Sequence, residues 1–71
     1  MMNSFSLEGG EFIELNNLLK VTGLCSSGGM AKQLISDGLV QVDGAVETRK
    51  RCKIRPGQRV EFAGQVIEVE A

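Results

Sequence analysis

The chain has no histidine, no tryptophan and no tyrosine. Without histidine it lacks the side chain that most often moves protons near neutral pH. It also has only two cysteines, Cys25 and Cys52, too few to assemble the usual zinc sets. No paired-carboxylate or nucleophile-base constellation is visible, and 71 residues leave little room for an enclosed pocket. An enzyme is therefore not expected, nor a cofactor, a metal or a small-molecule substrate. No apolar run is long enough to span a bilayer, so no membrane partner is expected. The opening "MMNSFSLEGG" has neither the basic nor the apolar region of a secretory signal, and the expectation is a cytoplasmic protein. Its thiols would then stay reduced, with each cysteine acting as a small buried hydrophobe. The three aromatics, Phe5, Phe12 and Phe62, lie in segments read as core or edge strand. Base stacking of the kind used by single-strand binders therefore has few platforms.

What is present suits one small soluble domain over residues 1–71: 42% apolar and 24% charged residues. In "ELNNLLKVTGL", Leu15, Leu18 and Leu19 fall at i, i+3 and i+4, which predicts a helix ending at Gly23, with Leu24 folding back onto its last turn. "SSGGMAKQLISDGL" repeats the arrangement, with Ser26 or Ser27 as cap, Ala31, Leu34 and Ile35 as stripe, and Gly38 with Leu39 as the stop. After Gly38 the period falls to 2. "LVQVDGAVET" reads as a hairpin about an Asp-Gly turn of type I′. "RPGQ" reads as a type II turn, and "RVEF" and "QVIEV" as a second hairpin about Ala63 and Gly64. Phe5 and Leu7 are suited to an edge strand before the Gly9-Gly10 break. The expected fold is α+β: a monomer with two short N-terminal helices packed on a small, mostly antiparallel sheet of two hairpins.

Charge is distributed unevenly. The window "RKRCKIRPGQR" holds six of the eight basic residues, Arg49, Lys50, Arg51, Lys53, Arg55 and Arg59, and no acid. The remainder has two basic residues against nine acidic ones, so a net charge of −1 hides a polarised molecule. As an extended run, "RKRCKIR" would present Arg49, Arg51, Lys53 and Arg55 on one face and turn Lys50, Cys52 and Ile54 to the other. Crowded cations repel one another, and a polyanionic partner is the simplest reason to keep them together. The unpaired amides at the start of the second helix, with Gly28 and Gly29 permitting close approach, are a second expected anion contact. Lys32, off the apolar stripe, extends that surface.

These residues together carry a family likeness. From Leu15 to Phe62 the chain resembles the RNA-binding domain named after ribosomal small-subunit protein S-four, also called the alpha-L motif. The features that match are the first helix with its Gly-Leu stop, the Ser-rich cap, Ala and Leu-Ile on the second helix, Gly-x-Val-x-Val-Asp-Gly, and Lys-Ile-x-Pro-Gly-x-x-Val. The family occurs in ribosomal proteins, pseudouridine synthases, tyrosyl-tRNA synthetases and a ribosome-binding heat-shock protein. The resemblance implies non-catalytic binding of structured RNA, of the ribosomal or transfer RNA class, and association with ribosomes. Carried over by position, its contact surface points to Ser26, Ser27, Lys32, Gln33 and the basic residues from Arg49 to Arg55. Many members have arginine and another polar residue where this chain has Gly28 and Gly29, so its second helix would make contact through backbone amides and Lys32. The competing expectation is a protein-interaction module or adaptor on ribosome-associated complexes, with its acidic C-terminal strand and basic window meeting different partners.

Overall fold

The two helices form where the apolar spacing predicts them. In the computed structural model, which describes residues 2–71, α1 spans Leu15–Val21 and α2 spans Gly28–Ser36. Leu15, Leu18 and Leu19 of α1 are fully buried, as are Ala31 and Ile35 of α2, while Leu34 is half-buried against them. The Ser27 hydroxyl caps α2 by accepting from the Met30 amide at 3.1 Å, satisfying one of the donors a helix start leaves open. At the far end Gly38 takes a φ of +77°. Its amide donates to the Ile35 carbonyl and that of Leu39 to the Leu34 carbonyl, the paired bonds of a Schellman stop. No helix is long and apolar enough to cross a membrane, among the described residues.

The described residues form seven strands: β1 Met2–Ser6, β2 Ile13–Glu14, β3 Val40–Val42, β4 Ala45–Val46, β5 Lys53–Ile54, β6 Arg59–Phe62 and β7 Gln65–Glu70. Asp43 and Gly44 both have positive φ, 51° and 85°, and join β3 to β4 as the expected type I′ turn. Ala63 and Gly64 do the same between β6 and β7. At the Pro56-Gly57 turn Gly57 has φ +93°, and the Gln58 amide donates to the Arg55 carbonyl.

The main sheet has the order β1-β7-β6-β3-β4. All its pairs are antiparallel except β1 with β7, the edge strand, which runs parallel. Its inward residues Val40, Val42, Val60, Ile67 and Val69 meet the helices in one core. The expectation of a single sheet needs one correction. Strand β5 leaves the main sheet and pairs antiparallel with β2 in a separate two-stranded ribbon. The chain thereby sets the basic window beside the start of α1.

Candidate nucleic-acid interface

The window is held by its backbone and turns its cationic side chains outward. Ile13 pairs with Ile54 and Glu14 with Lys53. The line of bonds continues past the ribbon: the Leu15 amide donates to the Cys52 carbonyl at 2.9 Å, and that of Asn16 to the Lys50 carbonyl at 3.1 Å. The first amides of α1, which have no partner within the helix, are thus satisfied by carbonyls of the window. Ile54 is fully buried and Cys52 half-buried. Those two anchors leave the neighbouring cations in solvent.

The window is not one extended run. Between Arg49 and Arg55 the strand residues are Lys53 and Ile54, and the chain turns at Lys50 and Arg51, where the Cys52 amide donates to the Arg49 carbonyl at 3.2 Å. Lys50, expected on the inner face, is therefore exposed. Regular alternation fails here because the turn from Arg49 to Cys52 takes Lys50 out of the extended conformation.

The six cations also differ in their surroundings. Arg49 is clamped by Glu47, with Nε donating to Oε2 and Nη2 to Oε1, both at 2.9 Å, and its backbone amide donating to Oε2 at 3.0 Å. These bonds hold the Glu47 carboxyl down at about 2, well below the usual carboxylate range. Arg59 is paired with Glu68 across β6 and β7 at 2.6 Å. It also borders a depression shared with Asp43, Gly44, Gly57 and Glu61, so its surroundings are of mixed charge. Lys50, Arg51, Lys53 and Arg55 make no ion pair with an acid, among the described residues. Arg49, Arg51, Cys52 and Lys53 line one open depression of about 450 Å³. Burial pushes the Cys52 thiol up, and Glu47 adds to that, so it stays protonated near neutral pH. Burial likewise raises Cys25.

The start of α2 forms a separate patch, with no residue in the lining of that depression. Ser26 donates to the Met30 sulfur at 3.5 Å, Ser27 is the cap, and Gln33 Nε2 donates to Asp37 Oδ1 at 3.0 Å. Gly28 and Gly29 occupy the first turn, and Lys32 is half-buried one turn in.

Three residues of this region escape a reading of the sequence. Glu47 lies two positions outside the window, and Glu68 meets Arg59 only through the β6–β7 register. The third corrects the expectation that all the phenylalanines are taken up by core or edge strand. Phe12 is 39% exposed, with Lys53 Nζ 4.9 Å and Arg55 Cζ 6.0 Å from its ring centroid. Glu14 is the strand partner of Lys53, yet it is the Phe12 ring that the ammonium stands over.

A family model described as the S4 domain matches residues 5–70. The chain belongs to the S4 domain family. The match extends beyond residues 15–62, where the motifs lie, and takes in the end of β1 and all of β7. YbcJ of Escherichia coli (strain K12) is 54% identical over 70 residues, which cover 99% of this chain and 100% of that protein. YbcJ of Shigella flexneri matches to the same extent. The solution structure of YbcJ from E. coli, described as revealing an alphaL motif involved in RNA binding, aligns with this S4 domain at a TM-score of 0.77 and 54% identity. The alignment covers 100% of this chain and 90% of that one.

Proposed function

We propose that this S4 domain binds structured RNA of the ribosomal or transfer RNA class, without catalysis, as a cytoplasmic monomer that associates with ribosomes. The observation that carries the reading is the selective pairing within the window. Two of its cations are neutralised by Glu47 and Glu68, while Lys50, Arg51, Lys53 and Arg55 are exposed and make no ion pair among the described residues. Such a group suits successive phosphates of a backbone better than one small anion. Family membership and the RNA-binding motif described for YbcJ support it. The start of α2, with Lys32, Gly28 and Gly29, would provide the second contact through helix amides.

Salt dependence of binding to transfer RNA and to ribosomal RNA hairpins tests this. Four phosphate contacts give a slope of log affinity against log salt of roughly −2.8 to −3.6, at ~0.7 to 0.9 per contact. Replacing Lys50, Arg51, Lys53 and Arg55 by Gln should flatten the slope and weaken all RNAs alike, because phosphate contacts position without reading sequence. Unchanged affinity and slope in that variant, shown to be folded, would reject the reading. Protein partners that stay bound through ribonuclease treatment would favour an adaptor instead.

A further inference from the structure

We propose, building on the RNA-binding reading, that Phe12 is a stacking platform for one unpaired base, with the adjoining phosphate held by Lys53 and Arg55. The preferred target is then an RNA helix interrupted by a bulged or looped-out nucleotide. Phe12 lies just before β2, and the pairing of β2 with β5 is what brings Lys53 and Arg55 to its ring. Phe12 stays 39% exposed although Phe5, Leu7 and Ile13 line the same depression. With those residues and the exposed Val21, it lines an open depression of about 440 Å³. Phe12 therefore joins an apolar hollow to the cationic surface.

A nucleotide has the complementary shape, a flat ring separated from its phosphate by one sugar. The Lys53 ammonium stands over the ring, 4.9 Å from the Phe12 centroid, and supplies the phosphate contact on that side, leaving the ring's other face to the base. Glu8, also in the lining of the hollow, would repel a phosphate there, so the neutral base suits the hollow and the backbone suits the lysine side. Aromatic stacking accepts any base, because every base has a π face. A fully paired helix keeps its bases stacked on one another and offers the ring nothing.

The test uses the full chain and three RNA hairpins: one with a single bulged adenosine, one with an abasic residue at the bulge, and one uninterrupted. The wild type should bind the adenosine bulge about 5- to 150-fold more tightly than the abasic one. Phe12→Ala and Phe12→Leu should erase that preference and leave the other two hairpins nearly unaffected, while Phe12→Trp should retain it. Circular dichroism confirms folding, and Leu keeps the local apolar packing if Ala does not. Equal wild-type binding to all three hairpins, with a steep salt slope, overturns the platform and leaves RNA binding intact. Equal weakening of all three by Phe12→Leu also overturns it, since the ring would then only be holding Lys53 and Arg55. Failure of the wild type to bind any of them at low salt rejects both readings.

Discussion

Arg49 grips Glu47 through two side-chain bonds of 2.9 Å, although the residues are only two positions apart in the chain. The fork removes one cation from the exposed set at the point where the window begins. Glu47→Gln should release it. The window's cations without an ion pair, four among the described residues, become five, and the salt slope for RNA should steepen by about 0.7 to 0.9. An unchanged slope would mean that Arg49 lies outside the contact.

The same pair makes a pH prediction. In the folded chain the Glu47 carboxyl is held at about 2, below its ordinary value of 4.5, so the folded state binds its proton more weakly than the unfolded state does. The stabilisation is present above about pH 4.5 and lost as pH falls toward 2. Urea midpoints of the wild type and Glu47→Gln should therefore converge in acid. A gap that stays constant from neutral pH to pH 2 would contradict the assignment.

Ile54 and Lys53 are adjacent and have opposite duties. Ile54 is fully buried and holds the ribbon to the core, while Lys53 is exposed. Ile54→Ala should cost roughly 2 to 5 kcal/mol in chemical unfolding. Lys53→Gln should cost under about 0.5 kcal/mol and act on RNA affinity instead. Comparable stability losses for the two would show that the window has no separate inner and outer face.

Much of this was legible in the sequence because it is local. Leu15, Leu18 and Leu19 set the face of α1, Ser27 and Gly38 bound α2, and Asp43-Gly44 and Pro56-Gly57 define their turns through φ alone. The concentration of cations at 49–59 was equally plain. The β2–β5 ribbon was not, since two-residue strands have no alternation to detect and their pairing joins segments distant in sequence. The surroundings of Phe12 depend entirely on that pairing. The Arg59–Glu68 pair lies between these cases: once Ala63-Gly64 is taken as a two-residue turn, the register follows and sets the two opposite.

Ala63 is the residue of that turn least suited to its backbone. Its φ is +53°, a region in which a side chain with a Cβ is strained and asparagine is tolerated. Ala63→Asn should stabilise the domain by up to about 1 kcal/mol, raising Tm by roughly 4–8 °C at this chain length. Ala63→Val should lower it, because a β-branched side chain tolerates positive φ still less. If the Asn variant melts lower than the wild type, the turn is not type I′.

Gly28 and Gly29 present the opposite case, glycines that the fold does not require. Neither has a positive φ, and a methyl group added at either would meet nothing within 4 Å. In the first turn of α2 they weaken the helix, and alanine at either should stabilise it by up to about 1 kcal/mol. Close approach of a phosphate to the open amides supplies a reason to keep them, since a hydrogen bond to a charged group is worth ~1.5–3 kcal/mol. The double variant Gly28→Ala/Gly29→Ala should therefore melt higher and bind structured RNA at least about tenfold more weakly. Its salt slope should remain set by Lys50, Arg51, Lys53 and Arg55. If the variant is stabilised and its affinity is unchanged, the start of α2 is not part of the interface, and Lys50, Arg51, Lys53 and Arg55 bind the RNA without it.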